Sequence, residues 1–259
     1  FKDSYLEGYK MSFKFVQGFY SFSEQIKRNN RYIFCDKSKQ FLEEIYGRSK
    51  KRHITIKYKT VLWRAQLGAG SSAITDNEGR EYDEIPAPYP KERMFPLSDK
   101  ASEGRANPKG ISYLYLATTE KTAISEVRPW IGKEISVAQF GVTKDLTIID
   151  FSISKPIGSH TTNSRKEENV WEDIASAFSV PITSEDNEAL YAPTQVIAEF
   201  FKSKGIDGIA YYSMLGDGHN IVLFKAKTAV LLNCSLCEIQ EVSYEFQEIA
   251  NRYVVTDPY

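Results

Sequence analysis

From His53 onward the string HITIKYKTVLWRAQLG alternates apolar and polar residues, with Ile54, Ile56 and Tyr58 on one side, the period-two pattern of a β-strand. The apolar face switches near Val61, which leaves open the side from which Arg64 emerges. Comparable runs in ISYLYLA, EISVAQFGV, DLTIIDF, GIAYYS and NIVLF predict further strands, and the tail TAVLLNCSLCEIQEVSYEF adds strand character. The Gly-Asp-Gly of MLGDGH, between GIAYYS and NIVLF, reads as a hairpin connection. Helical spacing marks TQVIAEFFKSKG, where Val196, Ile197, Phe200 and Phe201 share a side and Gly205 is placed to stop the helix. TTEKTAISEVR, halted by Pro129, and ENVWEDIASAF are also predicted helical.

Up to about residue 52 the chain is aromatic and Lys-rich without strand alternation. SEQIKRNNRYIFC and KSKQFLEEIYGRSKK predict helices there, the second ending near Gly47, so residues 1–52 form a helical N-terminal region and residues 53–259 the rest. The stretch from Gly68 to Gly110 carries GAGSS, DNEGREYDEIPAPYP and PLSDKASEG. That much unpatterned Gly-, Pro-, Ser- and charge-rich chain reads as a functional loop or an insertion, and the parts of 152–193 outside ENVWEDIASAF also read as loop. Strands dominate with helices interspersed and no repeating βαβ rhythm. The expected fold class is α+β with an antiparallel-sheet core.

Composition then narrows the chemistry. With 33 basic and 34 acidic residues the formal charge is -1, so no global field gathers nucleic acid or an anionic membrane, and any anion site must be local. No apolar run approaches the roughly 20 residues of a membrane helix, and the first residues lack the layout of a signal peptide, which predicts a soluble cytoplasmic protein. Cys35, Cys234 and Cys237 are too few for a disulfide scaffold. The pair in CSLC has metal-like spacing but no second pair to complete a site, so no metal is expected. Ser-His-Asp order, a phosphate-binding Gly-Lys-Ser string and a dinucleotide fingerprint are all missing from the sequence.

Six residues remain as candidates. Alternation in ISYLYLA puts Tyr113, Tyr115 and Ala117 opposite Leu114 and Leu116, so Tyr115 could offer a ring with a polar tip or could simply line a half-buried face. Glu126 ends a helix, where the dipole disfavours a carboxylate by about 0.3–1 kcal/mol, a small penalty that hints at another role. Arg105 opens the turn-forming string GRANPKG, where a forked donor beside exposed backbone N–H groups suits a phosphate. Arg64, in a strand, needs an anionic partner or a route to water. Ser213 and Asn220 flank the Gly-rich connection, where they could hold a sugar or carboxamide or satisfy the hairpin's own backbone.

In combination the strings GRANPKG, LYLATTEKTAISEV, SVAQF, YAPTQVIAEFFKSKGIDGIAYYS and GHNIVLF resemble the RES domain family of bacterial toxins, named for an Arg, a Glu and a Ser, from Leu62 to about Phe224. The chain differs in its long Gly68–Gly104 connection and in Ala106, where an aromatic is usual. The resemblance implies a fold like that of diphtheria-type ADP-ribosyltransferases for residues 53–259, NAD as substrate, cleavage at its nicotinamide–ribose bond, and an antitoxin partner of helix-turn-helix type. It places the family triad on Arg105, Glu126 and Ser213, with Tyr115 as aromatic companion and Arg64 as the early strand arginine. The roles it implies are Glu126 facing the ribose charge, Tyr115 stacking on nicotinamide, Arg64 and Arg105 on the pyrophosphate, and Ser213 with Asn220 on ribose or carboxamide. The Gly68–Gly104 segment, tethered beside both arginines, is expected to cover the pocket.

Overall fold

The computed structural model describes residues 11–97, 101–152, 162–181 and 188–250. Its centre is an eight-stranded sheet built from β1 (His53–Ile56), β2 (Val61–Leu67), β5 (Leu114–Ala117), β6 (Glu134–Val142), β7 (Leu146–Asp150), β8 (Gly208–Tyr212), β9 (His219–Leu223) and β10 (Ala229–Glu238). The strand order is β1-β7-β8-β9-β5-β2-β6-β10. Neighbours run antiparallel except β7 and β8, which are parallel and therefore need a long crossover. That crossover contains α5 (Thr162–Ser179) and α6 (Ala192–Ser203), the latter started by a Pro in its first turn and closed by Gly205 at φ 84°.

Both faces of the sheet are covered, which explains why its central strands read as near-continuous apolar runs. On one face α5 and α6 pack with α1 (Gly18–Arg28) and α2 (Asp36–Arg48) around Phe22, Phe41, Phe151, Phe178 and Phe201, with Tyr113 and Val222 below them. Leu114, Leu116, Phe140, Ile148 and Ile221 point to the other face. The N-terminal helices share this core directly: Phe13 lies 5.1 Å from the Trp171 ring, Arg48 pairs with Glu167 at 2.6 Å and Lys204 with Glu43 at 2.7 Å.

Several expectations shift. The first predicted helix lies earlier than SEQIKRNNRYIFC, since α1 stops at Arg28 and the polar pair Asn29 and Asn30 leaves the helix. HITIKYKTVLWRAQLG is two strands: the chain turns at residues 57–60, with Lys59 at φ 67°, and β1 and β2 end up with four other strands between them in the sheet. The switch of apolar face near Val61 is that turn. Gly68–Gly104 is not unpatterned chain. It holds a hairpin of β3 (Gly70–Thr75) and β4 (Glu81–Ala87), then a short α3 (Lys91–Met94). The hairpin is exposed on both sides, so no apolar alternation announced it. Past it, Met94 is fully buried and Phe95 meets Phe140 edge-on at 5.1 Å, so this segment closes the second face of the sheet. The loops expected at 153–161 and 182–187 lie outside the described residues, as do the first ten residues of the N-terminal region. No helix among the described residues is long and apolar enough to cross a membrane.

Candidate functional site

The sheet has a weak seam. β5 and β2 are joined through one registered pair, Trp63 with Ala117, whereas β2 matches β6 along its whole length. The two strands diverge from that point, and a cleft of about 530 Å³ opens there. Its wall includes Arg64, Tyr115, Glu126, Tyr211 and Asn220. Four of the six residues singled out in the sequence thus meet in one cavity, while Arg105 and Ser213 lie outside its lining.

α4 (Glu120–Glu126) delivers the carboxylate. Thr119 caps its start by accepting from the Thr122 N–H at 3.1 Å, and the chain leaves the helix at Val127 just ahead of Arg128, whose φ is 48°. The carboxylate stands at the unfavourable end of the helix dipole, and two donors offset this. Ser213 Oγ and Asn220 Nδ2 each donate to Glu126 Oε1 at 2.6 Å. No hydrogen bond reaches Oε2 from the described residues. The Ser213 hydroxyl also accepts from the N–H groups of Leu215 and Gly216, at 3.1 and 3.0 Å. It therefore satisfies the hairpin backbone and orients the carboxylate at once.

Arg64 fills the gap between the diverging strands. Its Nη1 donates to the Tyr115 carbonyl at 2.9 Å, while Nε is sealed from solvent without a partner. Burial pushes the guanidinium down to about 10, which leaves it charged at neutral pH. Among the described residues no carboxylate pairs with it. A half-buried cation with one neutral partner and an enclosed, unpartnered Nε has donors to offer an anion.

Tyr115 has a different post from the one expected of its tip. Its hydroxyl donates to Asn107 Oδ1 at 2.7 Å and accepts from the Ala106 N–H at 3.0 Å, so the phenol is tied into the GRANPKG turn while the ring faces the cleft. Burial pushes this phenol well above the ordinary tyrosine range. Asn107 Nδ2 donates to the carbonyls of Ser102 and Ile111, at 2.9 and 2.8 Å. From the other side Thr194 donates to the Arg105 carbonyl at 2.6 Å, and Gln195 Nε2 lies 2.9 Å from the Gly104 carbonyl. The backbone of Arg105 is thus held firmly. Its side chain reaches to 6.0 Å from the Tyr191 ring, with Nη1 enclosed and unpartnered.

Gly104 is required by this packing. A Cβ there would lie 2.7 Å from the Tyr115 hydroxyl and 2.8 Å from Asn107 Oδ1, both already committed to each other. Gly104→Ala should therefore break the Tyr115–Asn107 bond and lower the melting temperature. A variant as stable as the parent, with the Tyr115 environment unchanged by NMR, contradicts this close approach.

Sequence reading passed over Tyr211, Asn107, Thr194, Gln195 and Arg93. Tyr211 is 3% exposed and lines the cleft; burial, with Tyr115 and Glu126 adding to it, holds its phenol far up and therefore neutral. Period two from Ser213 points to it, because residues 211 and 213 share a face. Thr194 and Gln195 were visible as polar residues starting an apolar helix, and both prove buried. Cys234 and Cys237 pack on different clusters, as three positions along a strand dictate, and among the described residues no group of three or more His, Cys, Asp or Glu could hold a metal.

Comparison with known proteins adds the family. A solved structure, the toxin–antitoxin complex MbcT–MbcA of M. tuberculosis, aligns with 14% identity over 76% of this chain and 92% of that one, at a TM-score of 0.38. No curated protein matches the chain significantly. The family model of the RES domain matches residues 81–246, starting after Arg64 and extending beyond Phe224. That span holds Arg105, Tyr115, Glu126, Ser213 and Asn220 and covers well over half of the sequence, so the chain belongs to the RES domain family.

Proposed function

We propose that this protein is an NAD-consuming toxin of a toxin–antitoxin system, acting in the cytoplasm, with a core of the diphtheria-type ADP-ribosyltransferase kind in residues 53–259. The reaction is heterolysis of the nicotinamide–ribose bond and transfer of the ADP-ribosyl group to water or phosphate. One observation carries the reading. Glu126 has one oxygen held by Ser213 and Asn220 and the other without a partner among the described residues, in a cleft whose lining also holds Arg64, a cation that no carboxylate among those residues pairs with. NAD has that polarity, with a cationic nicotinamide riboside at one end of a pyrophosphate dianion.

As the C–N bond lengthens, its electron pair leaves with the ring nitrogen as neutral nicotinamide, so neither an acid nor a metal is needed. Positive charge grows on the ribose, and Glu126 stabilises it without reorganising, because its donors already fix its position. Arg64 answers the pyrophosphate charge. The Tyr115 ring provides an aromatic face for the nicotinamide, and Tyr211 a neutral hydroxyl donor beside it. Ser213 and Asn220 act through Glu126 as positioning residues. Arg105 lies outside the lining, so its proposed contact with the pyrophosphate requires its side chain to swing toward the cleft, where its unpartnered Nη1 would find an acceptor. The partner proposed from the family resemblance is a helix-turn-helix antitoxin.

The test is incubation of the purified protein with NAD labelled in the adenylate half, with and without phosphate and cell extract. Free nicotinamide together with ADP-ribose or its 1″-phosphate is expected. Label retained on a macromolecule identifies an ADP-ribosyltransferase instead, and intact NAD beside a folded protein identifies a non-catalytic module.

A further inference from the structure

The cleft does not end at Arg64. A second pocket of about 210 Å³ adjoins it, and Arg64, Gln66, Arg93 and Tyr115 line both. Glu126 belongs to the first alone, so the two pockets form a groove with a carboxylate at one end and two arginines at its waist. Arg64 and Arg93 are the only charged residues in the lining of the second pocket, among the described residues.

Arg93 stands in the long segment between β2 and β5, and its backbone is anchored around it. Tyr89 N–H donates to Ser136 Oγ at 2.9 Å, Tyr89 Oη donates to the Leu67 carbonyl at 3.1 Å, and Gln66 Nε2 donates to the Arg93 carbonyl at 2.9 Å. Met94 then enters the core. The side chain makes no hydrogen bond or ion pair among the described residues. It lies 5.2 Å from the centre of the Tyr89 ring, and among the described residues no carboxylate pairs with it. Across the shared waist, Arg64 Nε is enclosed without a partner. Two forked cations with spare donors on one small pocket match a phosphate group better than a sugar or an amide.

We propose that Arg93 makes the second pocket an anion subsite that receives the phosphate on the adenylate side of the dinucleotide, so that the segment between β2 and β5 sets the preference for dinucleotide over mononucleotide. This assignment rests on the reading of the cleft as an NAD site. In this assignment nicotinamide riboside sits at Glu126, its own phosphate at Arg64, and the second phosphate at Arg93, both arginines bordering the two pockets. The stretch from Tyr89 to Met94 thereby serves as a wall with a recognition residue.

Calorimetric titration of the parent, Arg93→Gln and Arg80→Gln with ADP-ribose, inorganic pyrophosphate and nicotinamide mononucleotide tests it. Arg93 is exposed, so its variant should fold, and Arg80, paired with Asp76 and Glu78 on the hairpin, is the control for a general change of charge. Arg93→Gln should weaken ADP-ribose and pyrophosphate by about tenfold, the worth of a charge-assisted hydrogen bond. The mononucleotide should be nearly unaffected, and Arg80→Gln should match the parent throughout. If Arg93→Gln binds ADP-ribose as the parent does, the subsite is refuted while the NAD reading stands. Equal weakening of the mononucleotide also refutes it, since Arg93 would then hold the first phosphate. Pyrophosphate binding that depends on Arg93, in a parent that binds neither ADP-ribose nor the mononucleotide, supports the anion subsite and removes the dinucleotide reading. A parent that binds none of the ligands overturns both.

Discussion

Glu126→Gln should fold as the parent does and lose roughly 10²–10³-fold in NAD turnover, the usual cost of removing one preorganised electrostatic group. The amide oxygen can still accept from Ser213 and Asn220, so the cap of α4 and the hairpin beneath it keep their bonds. What disappears is the negative charge opposite the developing ribose cation. The loss should fall on kcat, with NAD affinity largely retained, because the charge is needed most in the transition state. In a bacterium the variant should relieve growth arrest. Parental turnover by folded Glu126→Gln would remove Glu126 from the mechanism, whatever else the cleft binds.

Phe41→Ala is expected to give the largest loss of stability. Phe41 is fully buried in α2, 5.1 Å from Phe22 and 5.7 Å from Phe13, which in turn meets Trp171 of α5. Truncating such a ring costs about 3–5 kcal/mol, because the transfer energy of the side chain and the cavity it leaves add together. For a chain of this size that is a fall of roughly 6–20 °C in melting temperature. Since α1 and α2 share their core with α5 and α6, the whole protein should melt in one calorimetric transition, shifted as a unit. A separate early transition, with the remainder melting as in the parent, would make residues 1–52 an independent domain.

Much of this architecture was legible in the chain. TQVIAEFFKSKG became α6 with Gly205 closing it, and EISVAQFGV, DLTIIDF, GIAYYS and NIVLF became β6, β7, β8 and β9, because periodicity and stop residues act over a few positions. The mixed α+β class followed from their order. The hairpin of β3 and β4 escaped notice because it buries neither face, and the break between β1 and β2 escaped because a turn at Lys59 carries no Gly or Pro to mark it.

The sequence by itself determined which chemical groups were available: a carboxylate ending a short helix, an arginine within a strand, a tyrosine facing away from its leucine neighbours, and a serine and an asparagine on either side of a Gly-rich turn. The family resemblance rested on those residues in that order. Only the tertiary structure decided what each group touches. Ser213 and Asn220 reach Glu126 across 87 and 94 residues because β9 pairs with β5, ahead of α4. Arg64 gains its place through a seam in the sheet that no local pattern encodes, and the Tyr115 hydroxyl turned out to hold the Arg105 loop. The physical reason is range. Backbone preference and apolar period act between near neighbours along the chain, whereas the burial, hydrogen bonding and charge of a site come from segments that meet only when the sheet is assembled.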